Sequence, residues 1–157
     1  MEEARAARLR LARERRALQV VICTAVLVPI TAGAAGVLLG PGMVESGLPP
    51  GLRDLSSHFA YLSGLLLGLG LMFLAMVPKI EACGPLFRRL AFVVVLGGMA
   101  RLWTLLQQGP PDAAYLFGLV MELGVVPVLV AWQWRLALRY RRSGVSDGRT
   151  SSTVMSS

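Results

Sequence analysis

Residues 90–107, LAFVVVLGGMARLWTLLQ, and residues 113–134, AAYLFGLVMELGVVPVLVAWQW, decide how this chain folds. Each is an apolar run close to the roughly 20 helical residues that cross the hydrocarbon of a bilayer. Each also carries one full charge inside it, Arg101 in the first and Glu122 in the second. An isolated charge at the bilayer centre costs about 2.5–3.5 kcal/mol on insertion scales. Two such charges persist only where they meet a partner or serve a purpose.

Two further runs complete the pattern. Residues 17–44 contain no charged residue, and residues 55–78 contain none apart from the ionisable His58. Hydrophobic residues make up 55% of the 157-residue chain and charged ones only 16%, too apolar a balance for a water-soluble domain. Pro41, Pro49 and Pro50, then Pro78 and Pro85, then Pro110 and Pro111 fall in or beside the gaps between runs, where helices stop. The expected fold is all-α, a four-transmembrane-helix bundle with helices at about 17–40, 55–78, 90–107 and 113–134. That four-helix domain fills residues 17–138, between a basic arm at 1–16 and a tail at 139–157 that is basic and then disordered.

Basic residues set the orientation. Arg5, Arg8, Arg10, Arg13, Arg15 and Arg16 precede the first run, Lys79, Arg88 and Arg89 occupy the second loop, and Arg135, Arg139, Arg141, Arg142 and Arg149 follow the fourth. On the other side stands Arg53 alone. The positive-inside rule then puts both termini in the cytoplasm, and the location expected is the bacterial inner membrane. The same topology accounts for the net charge of +7, with attraction to anionic headgroups as its chemical consequence, so membrane lipids are the expected partners. Nucleic acid is not expected as a partner, because no aromatic interleaving or binding motif accompanies the charge.

The first run has two readings. A basic leader, the apolar stretch 18–30 and the small residues Ala32, Gly33, Ala34 and Ala35 resemble a cleaved signal peptide. Apolarity resumes through Val37, Leu38 and Leu39, which suits a retained helix better. Residues 2–16 are expected to be a helical extension on the inner surface, either lipid-bound or solvated. Cys23 lies in a span and Cys83 in a cytoplasmic loop, so no disulfide is expected. One histidine cannot build a conventional metal site, and neither a metal nor another cofactor is expected.

Small residues recur every four positions at Ala32, Gly36 and Gly40 and again at Gly64 and Gly68. Such faces let helix backbones approach closely, either within the bundle or across a homo-oligomer. Trp103, Trp132, Trp134, Tyr115 and Tyr140 lie toward run ends as interfacial anchors do.

Depth brings the charges together. At about 1.5 Å of rise per residue, Arg101 lies roughly 9–10 Å below the outer end of the third helix, and Glu122 roughly 13–14 Å below that of the fourth. His58 lies roughly 4–5 Å below the outer surface on the second. A short connection makes helices three and four antiparallel neighbours, so Arg101 and Glu122 are the expected ion pair, with His58 above them. Tyr61, Ser63, Gln107 and Gln108 are candidate hydrogen-bonding supports. Such a pair is either a register-fixing bolt or the floor of a polar pocket.

Three segments carry a family resemblance: SHFAYLSGLLLGLGLMFLAMVPKIE from Ser57, then LFRRLAFVVVLGGMARLWTLLQQGPP and LFGLVMELGVVPVLVAWQWRLA. The specific elements are His58-Phe59 with Tyr61-Leu62-Ser63-Gly64, then Gly97-Gly98-x-Ala100-Arg101, and Met121-Glu122-Leu123 followed by Pro127. Over roughly residues 17–138 the chain resembles the bacterial integral-membrane family known as domain of unknown function 4345. The resemblance implies a small four-helix bundle with no assigned activity. Where that family often carries an arginine beside its histidine this chain has Ala60, which leaves Arg101 as the main partner for Glu122.

Two function classes follow. One is a non-enzymatic membrane protein that binds a lipid or small amphipathic, hydrophobic ligand at the polar site, or supports a partner complex. The alternative is a small membrane enzyme in which His58 and Glu122 shuttle a proton on a hydrophobic substrate, in the manner of an isomerase. No Ser/His/Asp set, phosphate-cradling glycine loop or metal cluster supports the second class, and no catalytic residue is assigned.

Overall fold

The computed structural model describes residues 2–43, 53–109 and 113–142. Pro49, Pro50, Pro110, Pro111 and the tail after Arg142, expected to be disordered, lie outside them. Every regular element among the described residues is helical: α1 (Glu2–Leu39), α2 (Arg53–Met76), α3 (Gly84–Gln108), α4 (Ala113–Val120) and α5 (Val126–Arg142). A π-helical turn, Met121–Val125, joins α4 to α5, so the last two helices are one rod with a widened turn inside it. By length and composition, four stretches can cross a membrane: Arg5–Leu39, Asp54–Lys79, Gly84–Gln108 and Ala113–Arg142. The chain is a multi-pass membrane protein of the all-α class.

These helices run further than the apolar sequence that starts them. α1 begins fifteen residues before residue 17, because Ala, Arg and Leu are strong helix formers and Glu2 and Glu3 complement the dipole of its first turn. α5 likewise continues to Arg142, with Arg139, Arg141 and Arg142 favourably placed in its last turn. α1 also continues through Pro29, which membrane helices tolerate because nearby groups take up the freed carbonyls. Thr31 Oγ1, two residues on, donates to the Leu27 and Val28 carbonyls at 2.7 and 3.2 Å rather than to the Ala25 carbonyl that the proline frees. α3 stops at Gly109, whose φ of +88° few other residues adopt and whose N–H returns to the Leu105 carbonyl at 3.0 Å.

The chain divides into two compact units. One holds residues 19–78, the membrane part of α1 with α2. The pair meets backbone to backbone: a Cβ at Gly33 would lie 2.6 Å from Leu67 N and 2.8 Å from Ser63 O, and one at Gly36 would lie 2.7 Å from Ser63 Cβ. Gly70 closes the seam from the other side, with Ile30 Cγ1 at 2.7 Å from a Cβ there. The seam therefore runs through positions three apart, 33 and 36, rather than through the spacing of four in 32, 36 and 40. Gly68 faces open space, and nothing but Val37 at 4.0 Å approaches Gly64. Gln19 Nε2 donates to the Val77 carbonyl at 2.8 Å and ties the far ends of this hairpin.

The other unit holds residues 1–18 and 79–157. Within it α3 packs along α4, the π turn and α5. Its buried side chains include Phe87, Leu90, Ala91, Leu129 and Leu136. At the basic end the fully buried Gln133 donates from Nε2 to the Ile80 carbonyl at 2.9 Å, holding the α2–α3 connection to α5. Large apolar side chains such as Leu38, Phe92 and Leu106 are exposed, at 81%, 67% and 73%. In water such a surface would drive association, and against lipid tails it is neutral.

Candidate functional site

Arg101 and Glu122 face each other across α3 and the π turn, and each is seated by a glycine on the opposite helix. Gly98 sits one turn before Arg101 on the same face of α3, and a Cβ there would lie 2.9 Å from Glu122 Cβ and 2.8 Å from Leu123 Cδ2. Gly118 sits one turn before Glu122, and a Cβ there would lie 3.0 Å from Arg101 Nη1. Antiparallel register explains the reciprocity: a step toward the C-terminus of α3 is a step toward the N-terminus of α4. Tyr115, one turn further along α4, holds its ring 5.7 Å from the guanidinium carbon, within cation–π range.

The turn that carries Glu122 has a local cause. Pro127 has no N–H to offer the Leu123 carbonyl, and its ring would crowd that carbonyl in a regular α-helix. One turn widens instead, and the Val126 N–H bonds to the Met121 carbonyl, five residues back. Single π turns of this kind recur at functional sites in helices.

The pair itself is loose. Arg101 Nε stands 3.4 Å from Glu122 Oε2, against about 2.7–2.9 Å for a charge-assisted hydrogen bond. Glu122 is the inner partner, its side chain 17% exposed, and its Oε2 is buried with no hydrogen-bond partner among the described residues. Arg101 is the open partner at 41%. A guanidinium presents five N–H groups, and at 3.4 Å even the Nε–H is beyond the usual hydrogen-bond distance to the carboxylate.

Gln107 and Gln108 end α3 as exposed side chains, and neither hydrogen-bonds to the pair. His58 and Tyr61 are exposed on α2, in the other unit. Ser63, 8% exposed, is spent on the α1–α2 seam beside Gly36. Sequence reasoning missed the ring of Tyr115 as a cation platform, the two glycine seats and the π turn. Pro127, five residues after Glu122, was the one local signal for the turn. Among the described residues no group of three His, Cys, Asp or Glu is placed to hold a metal ion.

The family model of a domain of unknown function, DUF4345, matches residues 17–133. The chain belongs to that family, and the match takes in α3, the π turn and both members of the ion pair. No curated protein and no solved structure matches the chain.

Proposed function

We propose that this protein is a small multi-pass protein of the bacterial inner membrane, with both termini cytoplasmic, that holds a lipid or other small amphipathic molecule at the Arg101–Glu122 site in the outer half of the bilayer. It acts as a binding protein rather than as an enzyme. The carrying observation is the half-open guanidinium: Arg101 is 41% exposed in an apolar segment and its Nε stands 3.4 Å from Glu122 Oε2. A charge kept merely as a bolt is best closed on all sides, since each unsatisfied donor in hydrocarbon is costly. Apolar positions on the same helices, Trp103, Leu106, Phe117 and Val120, are exposed and suit the tail of an amphiphile.

Support for the orientation is the distribution of arginine and lysine, crowded at one side of the four helices and nearly absent from the other. Two experiments test the reading. Native mass spectrometry of the full chain purified from membranes is expected to find a co-purifying amphiphile that Arg101→Gln loses; the same spectrum from both proteins would end the binding proposal. In a Cys23→Ser background, Cys83 is expected to react with a membrane-impermeant maleimide in inverted vesicles and not in intact cells. Labelling in intact cells would reverse the orientation.

A further inference from the structure

Resting on that reading of the site, the geometry points to the chemical class of its occupant: we infer that Arg101 takes an anionic amphiphile, a carboxylate or phosphate on an apolar chain, whose oxyanion meets the exposed part of the guanidinium while Glu122 holds Nε. Three observations and the shape of a guanidinium converge on this arrangement. Glu122 approaches Nε and is itself mostly enclosed, so the charge left open at the site is positive. Gly118 lets Nη1 lie close against α4, since a Cβ there would stand 3.0 Å from that nitrogen. Tyr115 holds its ring 5.7 Å from the guanidinium carbon and so helps to seat the cation. The guanidinium edge is a planar fork, the shape that pairs with two oxygens of a carboxylate or phosphate.

The sign of the open charge decides between headgroups. A cationic headgroup would meet Arg101 before it reached the enclosed Glu122. A neutral alcohol would satisfy one donor and leave other guanidinium N–H groups without an acceptor in apolar surroundings. An oxyanion satisfies two donors at the exposed partner of the pair, although Arg101 and Glu122 already cancel in formal charge. Glu122 then has two effects on the ligand: it holds the guanidinium in place through Nε, and it repels the incoming negative charge. The second effect grows where the dielectric is low, so the carboxylate tempers affinity rather than creating it.

Titration of the full chain in neutral detergent with phosphatidylglycerol, oleate and phosphatidylcholine, followed by native mass spectrometry, tests the class. Because the cytoplasmic arginines also attract anionic lipid, the readout is the part of retention that Arg101→Gln removes. That part is expected to favour the anionic amphiphiles over phosphatidylcholine by about tenfold, the effect of one buried charge-assisted pairing. Glu122→Gln, which removes the repulsion and keeps the shape, is expected to raise it severalfold. Oleate bound alone marks a free carboxylate amphiphile as the source, and phosphatidylglycerol alone marks the bilayer's own phosphate headgroups; either outcome supports the assignment. Arg101-dependent retention that is equal for phosphatidylcholine overturns the anionic class and leaves an amphiphile site standing. No Arg101-dependent retention of any of the three overturns both. Loss of retention in Glu122→Gln as complete as in Arg101→Gln also overturns this sharing of the guanidinium. If Arg101→Gln does not fold, Gly118→Leu keeps both charges and pushes the guanidinium off its seat on α4, where even a Cβ would stand 3.0 Å from Nη1, and it is expected to lose the same retention; full retention in that variant overturns the proposal.

Discussion

The two ends of α3 and its partner helices carry ion pairs built to opposite specifications. At the basic end, Arg139 Nη1 meets Glu14 Oε2 at 2.7 Å and Arg15 Nε meets Glu81 Oε2 at 2.9 Å, while Gln133 clasps the Ile80 carbonyl at 2.9 Å. Inside the apolar segment, Arg101 and Glu122 stand 3.4 Å apart, farther than either pair at the basic end. Electrostatics alone predicts the reverse, because a pair is worth more and an unmet charge costs more where the dielectric is low. A tight pair was available here: the glycine seats at Gly98 and Gly118 bring the helices close enough. The looseness is therefore not forced by the distance between the helices, and it is what distinguishes this pair from the clasps.

The largest way to break this comparison is to remove the charges singly and then together. Glu122→Leu leaves Arg101 unpaired in an apolar segment and is expected to cost about 3 kcal/mol of stability, the order of an isolated intramembrane charge. Arg101→Leu is expected to cost a similar amount by stranding Glu122. The double variant removes both penalties and is expected to recover most of the loss, since buried pairs exchanged for apolar side chains are often neutral in stability. It is also expected to retain no amphiphile. Reversible unfolding in mixed micelles measures the first part and native mass spectrometry the second. A double variant as unstable as either single one would make the pair a bolt.

Next in size is the glycine seat. A Cβ at Gly98 would stand 2.8 Å from Leu123 Cδ2 and 2.9 Å from Glu122 Cβ, so Gly98→Ala must push α3 away from the π turn. Overpacking of this kind costs about 1–3 kcal/mol. Gly97, its neighbour, has nothing within 4 Å. Gly97→Ala is expected to be neutral or to stabilise by a few tenths up to about 1 kcal/mol, through the ordinary helical preference for alanine. The same unfolding measurement on both variants checks the register, and equal effects at 97 and 98 would mean that the seat is elsewhere.

How much of this was legible depends on which physical demand wrote each residue. The bilayer writes its demand locally: a helix that crosses it needs a continuous apolar run, so the four spans could be read from composition and length. Arg101 and Glu122 were legible for the same reason, as violations of that run. The π turn was not, because a segment apolar on every side has no amphipathic period to show a widened turn, and Pro127 alone does not say where the extra residue goes. The seats were hidden among 17 glycines, of which only the helix register singles out Gly98 and Gly118. On the other hairpin the spacing of four at 64 and 68 lies off the seam between α1 and α2, which uses Gly33 and Gly36. The clasp at the basic end was the least legible feature: Glu14 and Arg139 are 125 residues apart, and each reads locally as one more charge on a solvated helix end.

That clasp gives the smallest expected effect and the cleanest contrast. Arg139 is 60% exposed at its side chain and Glu14 25%, so water and salt reach the pair despite its 2.7 Å geometry. Exposed pairs contribute about 0.2–1 kcal/mol, screened over a Debye length of about 8 Å at physiological ionic strength. Glu14→Gln is therefore expected to lower stability by less than about 1 kcal/mol at low salt and by close to nothing at molar salt. The Arg101–Glu122 pair, shielded by lipid or detergent tails from bulk ions, is expected to show no such relief: the deficit of Glu122→Leu should persist across the same salt range. Measuring both variants side by side from low to molar salt separates the two specifications directly. If the Glu122→Leu deficit faded with salt as the Glu14→Gln deficit does, ions would be reaching Arg101 freely, and the site would belong to the aqueous surface rather than to the bilayer.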